Sequence, residues 1–481
     1  MDLPPFDVCY RALQSRDARF DGRLFVGITS TGIYCRPICP ARTAKPQNCR
    51  FFASAAAAQS GGFRPCLRCR PEISPDAAAW RGTSNTVSRA LSLIAEGGLD
   101  GEAHVAALAA RLGMGDRQLR RLFDQHLGAS PLAVAQTRRV LFAKQLIQDT
   151  ALPMSAIAEA AGFGSVRRFN DAFRKLYDCS PRQLRVRRCP SAEMTVKLGY
   201  RAPYDWDRII AFLAARAVDG VEVAEPGRYA RTIEFGGAFG SVSVVPGRGV
   251  LLATIRFPDV RSLLAIVARL RRLFDLDADV AAIGEHLAAD RDLAPLVARR
   301  PGLRAPGGWD GFEMALRAIL GQQVTVAAAR RLAGALVAQT SPRLTADVTG
   351  DERLSAAFPI PSRIVAANLT LGMPRARLHA LQALAEAAAA DPDLLDCQGG
   401  AEAVHKRLLA LPGFGPWTAQ YWALRALRDG DAFPAGDVAL LRAIAIEGQR
   451  PTPAMLAQRA ERWRPWRAYA AQHLWAHDAE R

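Results

Sequence analysis

The sequence lacks the long apolar segments that a membrane protein needs. No run of about 18 uncharged apolar residues occurs in the 481 residues, and the N-terminal stretch MDLPPFDVCY has neither a basic region nor an apolar core. A secretory leader requires both of those features. We therefore expect a soluble, cytoplasmic protein with no membrane partner.

Lysine is also scarce, although the chain is basic. Lys and Arg total 63 against 46 Asp and Glu, which gives a formal net charge of +17. Most of that charge is arginine, whose guanidinium group can bind a phosphate through two parallel hydrogen bonds. The composition favours nucleic acid as the partner, with an acidic membrane surface as the weaker alternative.

Cysteine is nearly absent from the C-terminal half, where Cys397 is the only one after Cys189. This distribution excludes a four-cysteine iron–sulfur cluster in that half. The total of nine cysteines is odd, which argues against a disulfide framework in a cytoplasmic chain. Cysteines that cluster are therefore candidates for metal or redox chemistry.

Such a cluster is present near the N-terminus, where Cys35 and Cys39 form a C-x3-C pair and Cys66 and Cys69 form a C-x2-C pair. Two close pairs supply the four thiolates of a tetrahedral zinc site, and a purely structural zinc is the simpler interpretation. The flanking residues, STGIYCRPICPAR and GFRPCLRC, strongly resemble the N-terminal zinc domain of the Ada family.

The resemblance to Ada implies that Cys35 accepts a methyl group irreversibly from a DNA methyl phosphotriester. A zinc ion with four thiolates carries a charge of about −2, and methylation of one sulfur removes about one negative charge. Repulsion from DNA then weakens, so affinity should rise. The family positions that touch the DNA backbone match Thr31, Arg42 and Arg64, and Arg36 and Arg68 are further basic candidates.

Two helix-turn-helix patterns follow, within residues 84–190. The first, VAALAARLGM, leads through a turn at Gly113 into a second helix, and the other contains AGFGS and FNDAFRK. Joined by a predicted helix from Pro131 to about Gln148, they resemble the AraC-type DNA-binding domain of transcription activators, which implies RNA polymerase as a further partner. A helical bundle with no DNA role is the alternative.

The predicted recognition helices of this domain, residues 116–124 and 165–175, could enter successive major grooves from one monomer. Both helices are rich in arginine. The side chains that we expect to face DNA are Arg117, Arg120, Arg121, Arg167, Arg168, Asn170 and Arg174.

Strand patterns begin after Glu193. Alternating or β-branched segments predict strands at residues 194–198, 229–235, 240–245 and 250–257, with helices at residues 205–217 and 260–273. The segments YRAPYDW and FLAAR resemble the small α/β domain that begins AlkA-type glycosylases. Beyond about residue 301 the chain is predicted to be helical to its end.

Residues 411–437, LPGFGPWTAQYWALRALRDGDAFPAGD, carry the most specific pattern in this half. Gly413 and Gly415 lie in a predicted hairpin, where backbone N–H groups can reach a phosphate at the start of a helix. Asp437 suits a helix N-cap. For any one of these residues, an ordinary helical hairpin is the simpler interpretation. Together they closely resemble the helix-hairpin-helix DNA glycosylase superfamily, in its AlkA-type branch.

This second resemblance implies a monofunctional enzyme that uses water, because Trp417 stands where the strand-nicking members have a lysine nucleophile. Asp437 is then the catalytic carboxylate that stabilises the sugar cation. Cation–π contacts of about 0.5–2 kcal/mol favour a cationic base in an aromatic pocket. The implied pocket residues are Phe212, Trp417, Tyr421 and Trp475. The implied phosphate ligands are Gly413, Gly415 and Thr418, together with a bound monovalent cation.

Gln323, in the sequence GQQV, matches the family position that supplies a wedge into the gap left by the flipped base. A glutamine there can hydrogen-bond the orphaned partner base, or it can simply cap the end of its own helix. Both interpretations stay open. Trp463 and Trp466 are assigned to the core.

We therefore expect a multidomain α+β protein: a small zinc domain (residues 1–80), an all-α AraC-type double helix-turn-helix (84–190), a small α/β domain (193–304) and an all-α helix-hairpin-helix glycosylase domain (305–481). Its expected activities are methyl acceptance, transcription activation and excision of 3-methyladenine-type bases. The Pro-Cys-His-Arg motif of a second Ada methyltransferase is absent, so repair of O6-alkylguanine is not expected. The alternative is a transcription regulator whose C-terminal half is a non-catalytic DNA clamp.

Overall fold

The computed structural model describes residues 3–75, 83–99, 104–185, 193–395, 401–445 and 449–480. The chain divides into two compact units. The first consists of Met1–Ala202, Gly247–Ala268 and Leu276–Ala278, and the second of Pro203–Pro246, Arg269–Asp275 and Asp279–Arg481. Among the described residues, every helix is too short or too polar to cross a bilayer. Cys189 and Cys397 lie outside these ranges.

The first unit begins with a small four-stranded sheet. Its elements are α1 (Phe6–Gln14), β1 (Phe25–Ile28), β2 (Ile33–Cys35), β3 (Cys49–Phe52), α2 (Ala55–Ser60) and β4 (Arg64–Pro65). The strand order is β3-β1-β2-β4, in which β1 is antiparallel to β2 and β3, and β2 is parallel to β4. Because β2 and β4 run in parallel, the segments that follow them leave the same edge of the sheet. This brings the two cysteine pairs together.

Six helices follow in this unit, and they agree with the predicted helix-turn-helix pattern. They are α3 (Thr83–Ala95), α4 (Val105–Arg111), α5 (Asp116–Leu127), α6 (Pro131–Asp149), α7 (Met154–Ala160) and α8 (Val166–Tyr177). Side-chain caps from Ser130 and Ser165 begin α6 and α8. The sequence of residues 82–85, GTSN, predicts a short linker, but α3 already begins at Thr83; Gly82 lies outside the described residues.

The central helix α6 carries buried charges that hold the zinc domain. Lys144 Nζ donates to a carboxylate oxygen of Glu72 at 2.7 Å and to the backbone carbonyl of Cys66 at 3.2 Å. Both side chains of this ion pair are fully buried. Arg70 donates two hydrogen bonds of 3.0 Å to the Asp149 carboxylate at the end of α6. The zinc domain and the helix-turn-helix domain are therefore joined by ion pairs within one compact unit.

The strands predicted beyond residue 193 are confirmed, with one addition. In the first unit, β5 (Met194–Gly199) pairs antiparallel with β9 (Val250–Arg256). In the second unit, β6 (Glu222–Glu225), β7 (Arg228–Phe235) and β8 (Ala238–Gly247) form an antiparallel meander. Strand β6 was not predicted because its sequence, EVAE, is half acidic. The helices of this region are α9 (Trp206–Ala214) and α10 (Leu263–Leu273).

The remainder of the second unit is helical, as predicted beyond about residue 301, and two helices before that residue were not predicted. Its helices are α11 (Val280–Leu287), α12 (Ala294–Arg299), α13 (Gly311–Leu320), α14 (Val326–Thr340), α15 (Ala346–Thr349), α16 (Pro361–Ala366), α17 (Arg375–Ala390), α18 (Ala401–Leu409), α19 (Pro416–Trp422), α20 (Val438–Ala443), α21 (Pro453–Ala460) and α22 (Arg467–Asp478). A core of Leu316, Ile319, Leu381 and Trp422 joins α13, α17 and α19. Helix α19 is continued by a π-helix, Ala423–Leu427.

Candidate functional site

The four cysteines of the first unit form a compact cluster. Cys35 ends β2 and Cys66 follows β4, and the sulfur atoms of Cys35, Cys39, Cys66 and Cys69 all lie within 4.8 Å of one another. Tetrahedral zinc binds thiolates at about 2.3 Å, so four sulfurs this close together fit one zinc ion. Cys35 is partly exposed, whereas the other three cysteines are buried.

Arg36, beside this cluster, has a structural role. Its guanidinium group forms an ion pair with Asp21, and it donates to the carbonyl of Cys69 at 3.0 Å. Its backbone N–H donates to the Cys69 sulfur at 3.3 Å, and the residue is only 6% exposed. The expectation that Arg36 contacts DNA is therefore wrong, because its charge is paired inside the domain. Thr31, Arg42 and Arg68 are exposed and Arg64 is half-buried, on segments that flank the cysteines.

The arginines of α5 and α8 lie on the solvent faces of these helices. Their opposite faces bury Leu119, Phe123, Phe169 and Phe173. The exposed residues are Arg117, Arg120, Arg121, Arg167, Arg168 and Arg174, whereas Asn170 is half-buried. Two helices with basic outer faces, each following a helix-turn-helix turn, suit insertion into DNA grooves.

In the second unit, the Asp437 carboxylate accepts a hydrogen bond from each of two tryptophans. Trp417 Nε1 donates to Asp437 Oδ2 at 3.0 Å, and Trp475 Nε1 donates to Asp437 Oδ1 at 3.0 Å. The same Oδ1 accepts the backbone N–H groups of Ala439 and Leu440, at 3.0 and 3.1 Å, at the start of α20. Asp437 is thus the predicted N-cap, and it is also fixed beside the predicted aromatic residues.

The rings of Trp417, Tyr421 and Trp475 lie close together, and we call these three residues and Phe212 the ring pocket. Trp417 and Tyr421 stack with ring centroids 5.3 Å apart and planes 8° apart. Tyr421 and Trp475 are edge to face at 6.3 Å. Because Trp417 and Tyr421 already stack on each other, a flipped base must use their outer faces rather than enter between them.

Sequence reasoning missed Arg425, which contacts this pocket from the π-helix. Its guanidinium carbon lies 4.4, 5.2 and 5.5 Å from the ring centroids of Phe212, Trp475 and Tyr421. The residue is 1% exposed, and burial lowers the pKa of Arg425 to about 10, so it remains a cation at neutral pH. A single arginine within the apolar run YWALRAL was the only signal available.

The charge of Arg425 changes the electrostatics expected of the ring pocket. A cation stacked on the far face of one of these rings would lie about 8 Å from the guanidinium, where two unit charges repel by about 2 kcal/mol at an effective dielectric constant of about 20. That repulsion is comparable to the roughly 0.5–2 kcal/mol of a cation–π contact. The cation already packed against the rings therefore offsets part of the attraction that they would have for a second cation.

The predicted hairpin joins α18 and α19. Gly413 has φ +75°, and a Cβ there would come within 2.5 Å of the Ala380 side chain, so close packing against α17 requires glycine. A Cβ on Gly415 would meet nothing within 4 Å. Thr418 is 3% exposed, and its hydroxyl accepts from Gln322 Nε2 at 2.9 Å. The same Gln322 amide donates to the Gly413 carbonyl at 2.8 Å and so braces the hairpin.

Gln323 occupies the turn after α13 and is exposed. It has φ +56°, a left-handed conformation that is uncommon outside glycine. Its neighbours Val324 and Val326 are also exposed, by 37% and 42%. The helix ends at Leu320 with Gly321 as its C-cap, and the neighbouring Gln322 amide forms the hydrogen bonds to the hairpin. The turn thus exposes a polar residue followed by two exposed valines.

Three family models match successive parts of the chain. They are the metal binding domain of Ada over residues 8–72, a helix-turn-helix domain over residues 108–187 and the AlkA N-terminal domain over residues 195–310. With the sulfur geometry above, the first match shows one zinc site whose ligands are Cys35, Cys39, Cys66 and Cys69.

Full-length comparison gives the same order of parts. A probable bifunctional transcriptional activator/DNA repair enzyme AlkA from Mycobacterium tuberculosis is 43% identical over 479 residues, which cover 98% of this chain and 96% of that protein. DNA-3-methyladenine glycosylase 2 of Escherichia coli is 38% identical over 284 residues, 58% of this chain and 95% of its own length.

A solved structure reproduces the fold of the second half. The 3-methyladenine DNA-glycosylase from Archaeoglobus fulgidus aligns with a TM-score of 0.51 at 21% identity, and covers 59% of this chain and 98% of its own. At that identity the likeness concerns the fold alone. The Mycobacterium tuberculosis protein, by contrast, matches this chain along nearly all of its length, across all three family matches. This chain therefore belongs to the family of AlkA-type bifunctional transcriptional activator/DNA repair enzymes.

Proposed function

We propose that this protein combines three activities: it accepts a methyl group from DNA methyl phosphotriesters on Cys35, it activates transcription, and it excises alkylated bases of the 3-methyladenine type. The three family matches and the names of the full-length relative and of the E. coli glycosylase support this combination. The competing candidate is a regulator whose second unit only clamps DNA.

The observation that carries base excision is the double anchoring of Asp437 by the indole N–H groups of Trp417 and Trp475. A carboxylate held by fixed donors needs little reorganisation when positive charge develops nearby, which is the main source of electrostatic catalysis. The carboxylate also borders the ring pocket, where an extruded base can stack.

In the proposed reaction the C1′–N bond of the extruded nucleotide breaks, and both electrons leave with the base. Asp437 stabilises the cationic sugar and orients a water molecule, whose oxygen forms the new bond to C1′. None of the four ring-pocket residues carries an amine, so no covalent enzyme–sugar intermediate forms through them. The product is an abasic site in an intact strand, which makes the enzyme monofunctional.

The hairpin and the turn at Gln323 hold the duplex in this proposal. The N–H groups at Gly413 and Gly415 and the backbone N–H of Thr418, in the first turn of α19, can bind phosphate oxygens. A monovalent cation also binds at the hairpin in this proposal, together with the phosphate. Gln323 enters the gap left by the base, with its amide toward the orphaned partner and with Val324 and Val326 against the neighbouring bases.

The test of base excision is release of free alkylbase from methylated duplex DNA. The proposal predicts free base and strand breaks that appear only after alkali treatment. Breaks without alkali would point to a lyase. Tight binding with no base release would favour the DNA clamp.

Methyl acceptance is assigned to Cys35 because the resemblance to Ada gives that position this role, and because Cys35 as a residue is less buried than the other three cysteines. Bound zinc keeps all four sulfurs ionised at neutral pH. The Cys35 sulfur lone pair forms a bond to the methyl carbon while the carbon–oxygen bond of the phosphotriester breaks, and that electron pair restores the phosphodiester anion. The thioether product is not regenerated, so each molecule reacts once.

Mass spectrometry after incubation with methylated DNA tests this assignment. One added methyl group on the peptide that contains Cys35 is expected, and none in Cys35→Ala. Methylation of Cys39, Cys66 or Cys69 would overturn the assignment. No methyl at all would favour a purely structural zinc.

Transcription activation is assigned to α4–α8, which expose arginines on α5 and α8. RNA polymerase is proposed as the partner that this DNA-bound domain recruits. Transcription by purified polymerase from a template bound by the methylated protein should exceed that with unmethylated protein. Equal transcription in both reactions would contradict the proposal.

A further inference from the structure

Strand β5 begins the region that matches the AlkA N-terminal domain, and it packs directly against the zinc domain inside the first unit. Its last residue is Gly199, where a Cβ would lie 1.8 Å from the carbonyl oxygen of Ile73. Atoms that are not bonded do not approach so closely, so this contact requires glycine. Ile73 ends a short 3₁₀ turn, four residues after the zinc ligand Cys69. The strand therefore lies on a segment that the cysteine cluster anchors.

A second connection runs through Arg201, two residues after β5. Its Nε donates to the backbone carbonyl of Asp21 at 2.9 Å, and another guanidinium nitrogen donates to the Asp277 carbonyl at 2.5 Å. The Asp21 carboxylate pairs with Arg36, which donates to Cys69 through its backbone N–H and its guanidinium group. Arg201, Asp21 and Arg36 are 3%, 4% and 6% exposed. Because these groups are shielded from water, loss of one partner leaves the other unsatisfied at a cost.

Helix α6 provides a third contact. Gln145 Nε2 donates to the backbone carbonyl of Lys197, in β5, at 2.7 Å. Gln145 follows Lys144, whose ammonium group donates to the Cys66 carbonyl and to Glu72. Three separate contacts thus connect β5 with segments that also hold the cysteine cluster in place.

We propose that these contacts link zinc binding to the stability of the antiparallel pair β5 and β9, which we call the β5–β9 ribbon. Zinc at the four cysteines then stabilises the start of a domain that contains none of the zinc ligands. A ligand that binds the folded state alone adds its binding free energy to the stability of whatever unfolds with its site. Without zinc, Cys69 and the turn that follows it lose their fixed positions, and β5 loses its support. This linkage requires neither base excision nor methyl transfer, so it can fail without the proposed function.

Hydrogen exchange of the full-length protein tests the linkage, with zinc bound and after removal of zinc by EDTA under reducing conditions. Peptides that contain β5 or β9 should exchange about fivefold faster or more without zinc, because opening of the ribbon then costs less free energy. Peptides from α14, in the second unit, are the internal reference and should keep their exchange rates. Equal exchange of β5 with and without zinc would overturn the inference.

Arg201→Met tests the same linkage in the opposite direction. Coupling between two events is reciprocal, so weaker contact between the zinc domain and the ribbon must also weaken zinc binding. The variant loses both donors to the carbonyls of Asp21 and Asp277. Its zinc affinity, measured by competition with a chromophoric chelator, should be lower by about fivefold or more. A role of Arg201 in the ribbon alone would leave the zinc affinity unchanged, and that result would overturn the inference.

Arg201→Lys is the milder variant, for use if Arg201→Met does not fold. A single ammonium group cannot donate from both guanidinium positions, so its zinc affinity should also fall, by a smaller factor. Arg256→Met is the matched control, because Arg256 lies on β9 of the same ribbon and pairs with Glu193 at 2.9 Å. It should keep the zinc affinity of the wild type. An equal fall in Arg256→Met and Arg201→Met would overturn the role of the contact between Arg201 and the zinc domain.

Discussion

Trp417 and Asp437 are joined by a 3.0 Å hydrogen bond from the indole Nε1 to Oδ2. Trp475 donates to the other oxygen of this carboxylate, which also caps α20. The sequence offered the helix cap and the catalytic carboxylate as alternatives for Asp437. In the structure one carboxylate satisfies the geometry of both, because the cap uses Oδ1 and leaves Oδ2 to Trp417.

The first prediction removes a single indole N–H. Trp417→Phe keeps an aromatic ring beside Tyr421 but frees one oxygen of Asp437, so base release should fall by about 10–100-fold through lost preorganisation. The control is Trp463→Phe, because Trp463 Nε1 donates to Asp290 Oδ2 at 2.9 Å outside the ring pocket. Single-turnover rates should separate the two variants. Equal losses would contradict a role for the Trp417 bond in catalysis.

The second prediction concerns the ion pair between α6 and the zinc domain. Lys144→Met leaves the buried Glu72 with its 2.8 Å bond from Arg70 but without the bond from Lys144, so the free energy of unfolding of this part should fall by about 1–3 kcal/mol. Denaturant titrations monitored by zinc release measure this free energy of unfolding. Lys175→Met on the exposed face of α8 is the control and should cost no more than about 0.5 kcal/mol. A similarly small loss for Lys144→Met would show that the buried pair is not needed.

The third prediction concerns the charge lost on methylation of Cys35. Protein carrying that methyl group should bind duplex DNA more tightly than unmethylated protein at low salt. The difference should shrink as salt increases, because ions screen the repulsion that was removed. Fluorescence anisotropy at several salt concentrations measures both affinities. Equal affinities at low salt would refute the electrostatic switch.

The fourth prediction concerns pH and His473 on α22. Burial, with Arg300 nearby, lowers the pKa of His473 to about 4, whereas an unfolded histidine has a pKa of about 6.5. Between these values the unfolded chain binds a proton that the folded chain does not. The contribution of His473 to the free energy of unfolding is therefore complete above about pH 6.5. About 3 kcal/mol of it is lost as the pH falls toward 4.

The matched variant for this prediction is His473→Gln, which does not titrate. Its stability relative to the wild type should improve as pH falls from about 7 to 4, since carboxylate titration affects both proteins. Tryptophan fluorescence follows the second unit, because every tryptophan except Trp80 lies beyond residue 205. A constant difference across this pH range would contradict the predicted shift.

Local patterns were sufficient to predict much of this fold. The helix-turn-helix pairs follow from apolar periodicity and the turn at Gly113, and the strands after residue 193 follow from alternation. Strand β6 was missed because the partner of its buried acid, Glu222, is distant in the sequence: Arg317 pairs with the Glu222 carboxylate at 2.5 Å. Periodicity within β6 carries no information about that partner.

The missed features of the site have the same origin. Arg36 has the sequence context of a DNA contact, but Asp21, fifteen residues earlier, pairs with it inside the domain. In the sequence, Arg425 is one polar residue in an apolar helix. Its position at the ring pocket depends on the π-helix and on contacts with the distant residues Phe212 and Gln472. The cysteine pairs and the aromatic residues were predictable because their motifs are local.

The most direct test of catalysis by Asp437 is single-turnover release of 3-methyladenine by Asp437→Asn, measured beside its affinity for the lesion-containing duplex. Asparagine can still cap α20 and accept from Trp475, but it carries no charge, and its amide nitrogen cannot accept from Trp417. We predict nearly unchanged binding and base release slower by about 100-fold or more. Wild-type release by Asp437→Asn would contradict the catalytic role and leave Asp437 as a helix cap alone.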